Sequence, residues 1–107
     1  MTTFDEREKG FEARFAHDAE KEFRITARRN RLIGLWAAER LGLNDAESEA
    51  YAKSVVQADF EEAGDEDVIR KLMGDLLKGG VEVSDIELRE TLARKAAEAR
   101  EQIEQAG

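Results

Sequence analysis

Apolar residues recur at helical spacing through most of this chain, and capping residues and glycines divide the pattern. Leu41-Gly42-Leu43-Asn44 is the first break, with Asn44 and Glu47 spaced as a capping box. Ala63-Gly64-Asp65 is the second. There Gly64 suits a left-handed helix end, and Asp65 is placed to cap the next helix. Gly79-Gly80 is the third, followed by a Ser84/Glu87 capping pair. The pattern predicts helices near 20–41, 45–62, 66–78 and 85–105.

Each predicted helix has an apolar stripe. Ile25, Leu32, Trp36 and Leu43 point nearly one way, flanked by Ile33 and Leu35. Tyr51, Val55, Ala58 and Phe60 form a weaker face. Val68, Ile69, Leu72, Met73, Leu76 and Leu77 form the clearest one, and Ile86, Leu88, Leu92, Ala96, Ala99 and Ile103 the last. Short connections make sequential helices antiparallel neighbours, so the expected fold is all-α, a small four-helix bundle over 19–107. Trp36 is the bulkiest expected core residue, with a truncation cost of about 3–5 kcal/mol.

Residues 1–18 differ from the rest. Thr3 and Glu6 are spaced as a capping box, and Phe4, Phe11 and Phe15 fall within about 40° on a helical wheel. Glu8 interrupts that stripe, and Gly10 costs about 1 kcal/mol relative to Ala. A helix this short is marginal alone. Two readings stand. The segment packs on the bundle or extends the first helix with its rings in the core, or it stays mobile and orders on a partner with the rings as anchors.

Composition narrows the function. The 107 residues include 17 Lys+Arg, 25 Asp+Glu, one His and no Cys or Pro, for a formal charge of −8. Disulfides and thiolate zinc sites are excluded, which suits a reducing compartment. The acidity argues against nucleic acid as a partner, and no apolar run approaches a membrane span of about 20 residues. Charge is uneven: residues 21–40 hold six bases and two acids, and residues 44–67 nine acids and one base. Pairing between the first two helices is the expected consequence, giving orientation more than stability.

Candidate chemistry is sparse. His17 lacks the partners of a metal site and reads as a surface or junction residue. The acids from Glu61 to Asp67 do not have the spacing of a calcium loop, and first-turn acids fit the helix dipole. Lys78-Gly79-Gly80 has the wrong order for a phosphate loop. Arg24, Arg28 and Arg31 share a helix face, with Arg29 bordering the apolar stripe. Weak ADP or ATP binding there is one expectation, and pairing with the acidic second helix is the other. With no nucleophile–base constellation and no metal set, the chain reads as non-catalytic.

Several stretches carry a resemblance. They are Met1 to Lys9, Phe11-Glu12-Ala13, Phe15-Ala16-His17-Asp18, Ala27-Arg28-Arg29-Asn30, Gly34-Leu35-Trp36-Ala37-Ala38, Asp59 to Gly64 and Arg70-Lys71-Leu72. Together, in this order, they resemble the alphaproteobacterial ATPase inhibitor family, subunit zeta of the F-type ATP synthase. The resemblance implies a four-helix bundle whose residues 1–18 form an inhibitory segment. That segment would enter an interface of the synthase's catalytic head, between catalytic and noncatalytic subunits near the rotor shaft. The expected partner-binding residues are Phe4, Asp5, Glu6, Arg7, Glu8, Lys9, Phe11, Arg14 and Phe15. The protein would then be cytoplasmic, a monomer when free, and peripheral to the inner membrane through the synthase, with no membrane insertion of its own.

Overall fold

The structure, a computed structural model, describes the backbone of residues 3–61 and 64–106 and the side chains of 18–59 and 64–106. Four helices follow in order: α1 (Thr3–Arg40), α2 (Asp45–Glu61), α3 (Asp65–Lys78) and α4 (Asp85–Ala106). There is no strand among the described residues. The expected all-α four-helix bundle is therefore the observed fold.

The breaks work largely as their residues dictate. At the end of α1 the Gly42 N–H donates to the Glu39 carbonyl and the Leu43 N–H to the Ala38 carbonyl, at 3.1 Å each. Gly42 has φ +73°. This paired closure needs a left-handed residue, which glycine supplies without strain. The end of α3 repeats it: Gly80 has φ +78°, its N–H donates to Leu77, and Val81 N–H donates to Leu76. Leu43 and Val81 are then turned inward, both partly buried. The capping box of α2 is complete. Asn44 Oδ1 accepts from Glu47 N–H at 2.8 Å, and Glu47 Oε1 accepts from Asn44 N–H at 3.0 Å. At α4 only the Ser84 half forms, Glu87 N–H to Ser84 Oγ at 3.1 Å.

The second break departs from expectation. Gly64 is the N-cap of α3 and makes no side-chain cap bond, and Asp65 is already the first helical residue. The Asp65 carboxylate turns instead to Arg29, at 2.9 Å. A buried guanidinium nearby outcompetes a local backbone N–H for a carboxylate.

The helices alternate in direction. Close packing of α1 on α2 centres on Gly34, where an added Cβ would lie 2.8 Å from the Ala52 backbone. Gly79 meets the Leu41 side chain at the opposite junction, so the ends of α1 and α3 lie together. The main core joins all four helices through Ile33, Ala37, Val55, Leu72, Leu76 and Leu88, with further residues around them. A smaller cluster, Ile25 with Ala99 and Ile103, involves α1 and α4 alone.

Several core assignments shift. On α1 the buried face centres on Ile33, Gly34 and Ala37 rather than on Trp36, which is only partly buried. Small residues let neighbouring backbones approach, so they take the centre. The wide indole sits at the margin, with the Arg40 guanidinium 4.6 Å from its ring centroid. Full-burial cost therefore overstates a Trp36 truncation. Leu77 and Ile86 are exposed, at 56% and 69%: Leu77 faces away from the side that buries Leu76, and Ile86 lies in the first turn of α4. Phe60 lies outside the described side chains.

Candidate functional site

α1 is the longest element, and its length sets up the site. Its 38 residues span about 57 Å at about 1.5 Å per residue. α4, with 22 residues, spans about 33 Å. The two are held side by side by Lys21–Glu104 at 3.4 Å and Arg100–Glu22 at 2.9 Å. α4 ends two residues after Glu104, at Ala106, whereas α1 extends back from Lys21 to Thr3. Residues 3–20 thus continue the helix past the end of its neighbour. The backbone of this segment is helix, continuous with the rest of α1. The side chains of Phe4, Asp5, Glu6, Arg7, Glu8, Lys9, Phe11, Arg14, Phe15 and His17 lie outside the described residues.

The four arginines of α1 diverge. Arg29 is 8% exposed. It donates from Nε and Nη2 to Asn30 Oδ1, at 3.1 and 2.9 Å, and from Nη1 to Asp65 Oδ1. It fastens α3 to the middle of α1. Arg31 forks onto Glu49 of α2 at 2.7 and 2.9 Å. That hydrogen-bonded pair lowers the pKa of Glu49 below its ordinary value and raises that of Arg31. Arg28 reaches only a neutral acceptor, Gln102 Oε1 at 3.0 Å. Arg24 is exposed and has no ion-pair partner among the described residues.

Among the described residues, the expected pairing of a basic first helix with an acidic second helix is one contact, Arg31–Glu49. Other links run from α1 to α3 and α4. The acids at the start of α3 are likewise engaged. Glu66 accepts both arms of Arg89, which lowers its pKa, and Asp67 pairs with Arg70 at 3.3 Å. Among the described residues no group of three or more His, Cys, Asp or Glu is arranged to hold a metal ion.

Arg24, Arg28 and Arg31 do share a setting. They line a hollow of about 350 Å³ with Phe23, Ala27 and Val56. A second hollow, about 300 Å³, abuts it across Phe23, Ala27 and Val56 and reaches Asn30, Asp59 and Gly64. Asn30 is 1% exposed, and its Nδ2 has no acceptor among the described residues. Helical spacing identified the arginines but missed Asn30, a polar residue turned toward the core. Its only signal was adjacency to Arg29.

The chain is thus an all-helical module built around one helix that outruns its bundle, with no metal constellation among the described residues. Residues 1–102 match the family model described as ATPase inhibitor subunit zeta, and the chain belongs to that family. The family is one of ATPase inhibitors, regulatory rather than catalytic, and its name ties it to ATP synthase. A solved solution NMR structure is similar at TM-score 0.70 and 45% identity, covering 80% of this chain and 98% of that one. A comparison with curated proteins finds no match. Among the described residues no helix is long and apolar enough to cross a membrane.

Proposed function

We propose that the protein inhibits ATP hydrolysis by the F-type ATP synthase through insertion of residues 1–18 at a catalytic subunit interface. The supporting observation is the length of α1, which continues as helix well past the end of α4. A helix already formed to Thr3 reduces the ordering entropy that a coil would lose on entering a cleft. Phe4, Phe11 and Phe15 occupy apolar pockets in this mechanism. Asp5, Glu6, Arg7, Glu8, Lys9 and Arg14 meet opposite charges at the cleft walls. A wedge between catalytic and noncatalytic subunits, beside the rotor shaft, blocks closure of the catalytic site and needs no chemistry of its own.

The test compares ATP hydrolysis by the cognate ATPase with the full chain and with a chain starting at Ala19. Inhibition by the full chain alone is expected, and equal inhibition by both rejects the mechanism. A second reading, ADP or ATP binding by Arg24, Arg28 and Arg31, is favoured by the hollow those side chains share. Arg29 adds little to it while bound to Asn30 and Asp65. Titration with ADP, followed by amide shifts, tests it through saturable changes at those residues.

A further inference from the structure

We infer that the paired hollows along α1, bordered by α2 and reaching Ile103 of α4 and the start of α3, are a second contact with the ATPase, docking an acidic segment of one of its subunits. The inference rests on the inhibitor reading above and adds a site to it.

Three observations carry it. The first is charge. The chain is −8 overall, yet Arg24, Arg28 and Arg31 line one hollow. Arg31 is neutralised by Glu49, Arg28 has only a neutral partner, and Arg24 has no ion pair among the described residues. Two positive charges on an acidic protein thus have no ion-pair partner among the described residues, and an anionic partner fits them.

The second is shape. The two hollows, about 300 and 350 Å³, meet over Phe23, Ala27 and Val56. They adjoin along an apolar strip made of these three residues. A surface of this kind accepts an amphipathic segment, whose apolar side lies on the strip while its acids face the arginines.

The third is the orphan donor. Asn30 lies at the end away from Arg24, and its buried Nδ2 lacks an acceptor among the described residues. Its Oδ1 is already held twice by Arg29, so the amide cannot turn to satisfy itself. A carbonyl of the docked segment supplies the missing acceptor. Asp59 and Asp65 also stand at this end. They disfavour acids there, although Arg29 offsets Asp65. The docked segment thus has a fixed polarity, acidic toward Arg24 and Arg28 and uncharged toward Asn30.

The experiment measures binding of the full chain to the intact cognate ATPase at low and high salt. Wild type is set beside Arg24→Glu/Arg28→Glu and Phe11→Ala/Phe15→Ala. The charge-reversed chain is expected to bind about tenfold more weakly at low salt, with its thermal transition unchanged. Added salt weakens wild type more than this variant. Equal affinity of wild type and the charge-reversed chain overturns the contact at the hollows and leaves insertion of the N-terminal segment standing. No binding by wild type overturns both. Sedimentation showing a dimer of the free chain that the charge reversal dissociates reassigns the hollows to a second copy. Displacement of amide shifts at the hollows by ADP, with ATPase affinity unaffected by the charge reversal, reassigns them to a nucleotide.

Discussion

The two halves of α1 have opposite relations to the rest of the molecule. From Lys21 to Arg40 the helix is braced on α2, α3 and α4, burying Ile25, Ile33, Ala37 and Ala38. From Thr3 to Glu20 it runs on past the end of α4 as part of the same element. Helical hydrogen bonding is common to both. Tertiary burial secures the half from Lys21 to Arg40, and packing supplies most helical stability in proteins. The difference separates a part selected to hold shape from a part whose aromatic content is out of proportion to its charge.

Five measurements bear on that contrast, taken from the largest expected effect downward. Leu72→Ala, in the fully buried centre of the bundle, should lower stability by about 3–4 kcal/mol in urea unfolding. The paired change Phe11→Ala/Phe15→Ala should leave the same transition nearly in place while weakening ATPase inhibition. A large drop in stability from that pair would break the contrast by showing that the rings belong to the bundle's own core.

Gly34→Ala comes next. Its Cβ would sit 2.8 Å from the Ala52 backbone, and separating α1 from α2 should cost about 1–3 kcal/mol, read by thermal unfolding. Gly10→Ala should do the reverse, adding up to about 1 kcal/mol of helix stability. Circular dichroism checks the gain, and an unchanged bundle transition would confirm that the two halves are energetically separate.

The smallest effect is the response to acid. Hydrogen bonds from Arg100, Arg31 and Arg89 hold Glu22, Glu49 and Glu66 below the ordinary value of 4.5. Carboxyls with lowered folded pKa values stabilise the fold above the unfolded value and lose that contribution as pH falls through the folded ones. The melting temperature should therefore decline as pH drops below about 4.5. Glu49→Gln should shallow the decline slightly, because the pair is exposed.

Much of this architecture was legible in the chain. Four helices, their three breaks and the Asn44/Glu47 box follow from glycine placement and capping chemistry. The cores of α3 and α4 follow from period. What escaped was the competition between sites remote in sequence. Asp65 prefers Arg29 to its own helix end, and no local rule ranks the two. Helical spacing favoured large side chains, so it placed Trp36 at the centre, where Gly34 and Ala37 permit closer backbone approach. Most of the charge pairing predicted between α1 and α2 is redistributed to α3 and α4, whose positions depend on the whole fold. The candidate site divides likewise. Aromatic spacing and a helix marginal on its own marked residues 1–18, whereas the hollows and Asn30 emerge only when α1 is packed with its neighbours.

The small cluster of Ile25, Ala99 and Ile103 has a mechanical consequence. It joins two helices only and stands apart from the four-helix core, so it is the cheapest place for the fold to open locally. The last turns of α4 should fray there and exchange their amide hydrogens sooner than Leu88 or Leu92. Local opening of this joint, set just behind the leading half of α1, should let that half change its angle while the far end stays packed. In the insertion mechanism proposed above, the inserted helix could then absorb changes of angle without unfolding its base.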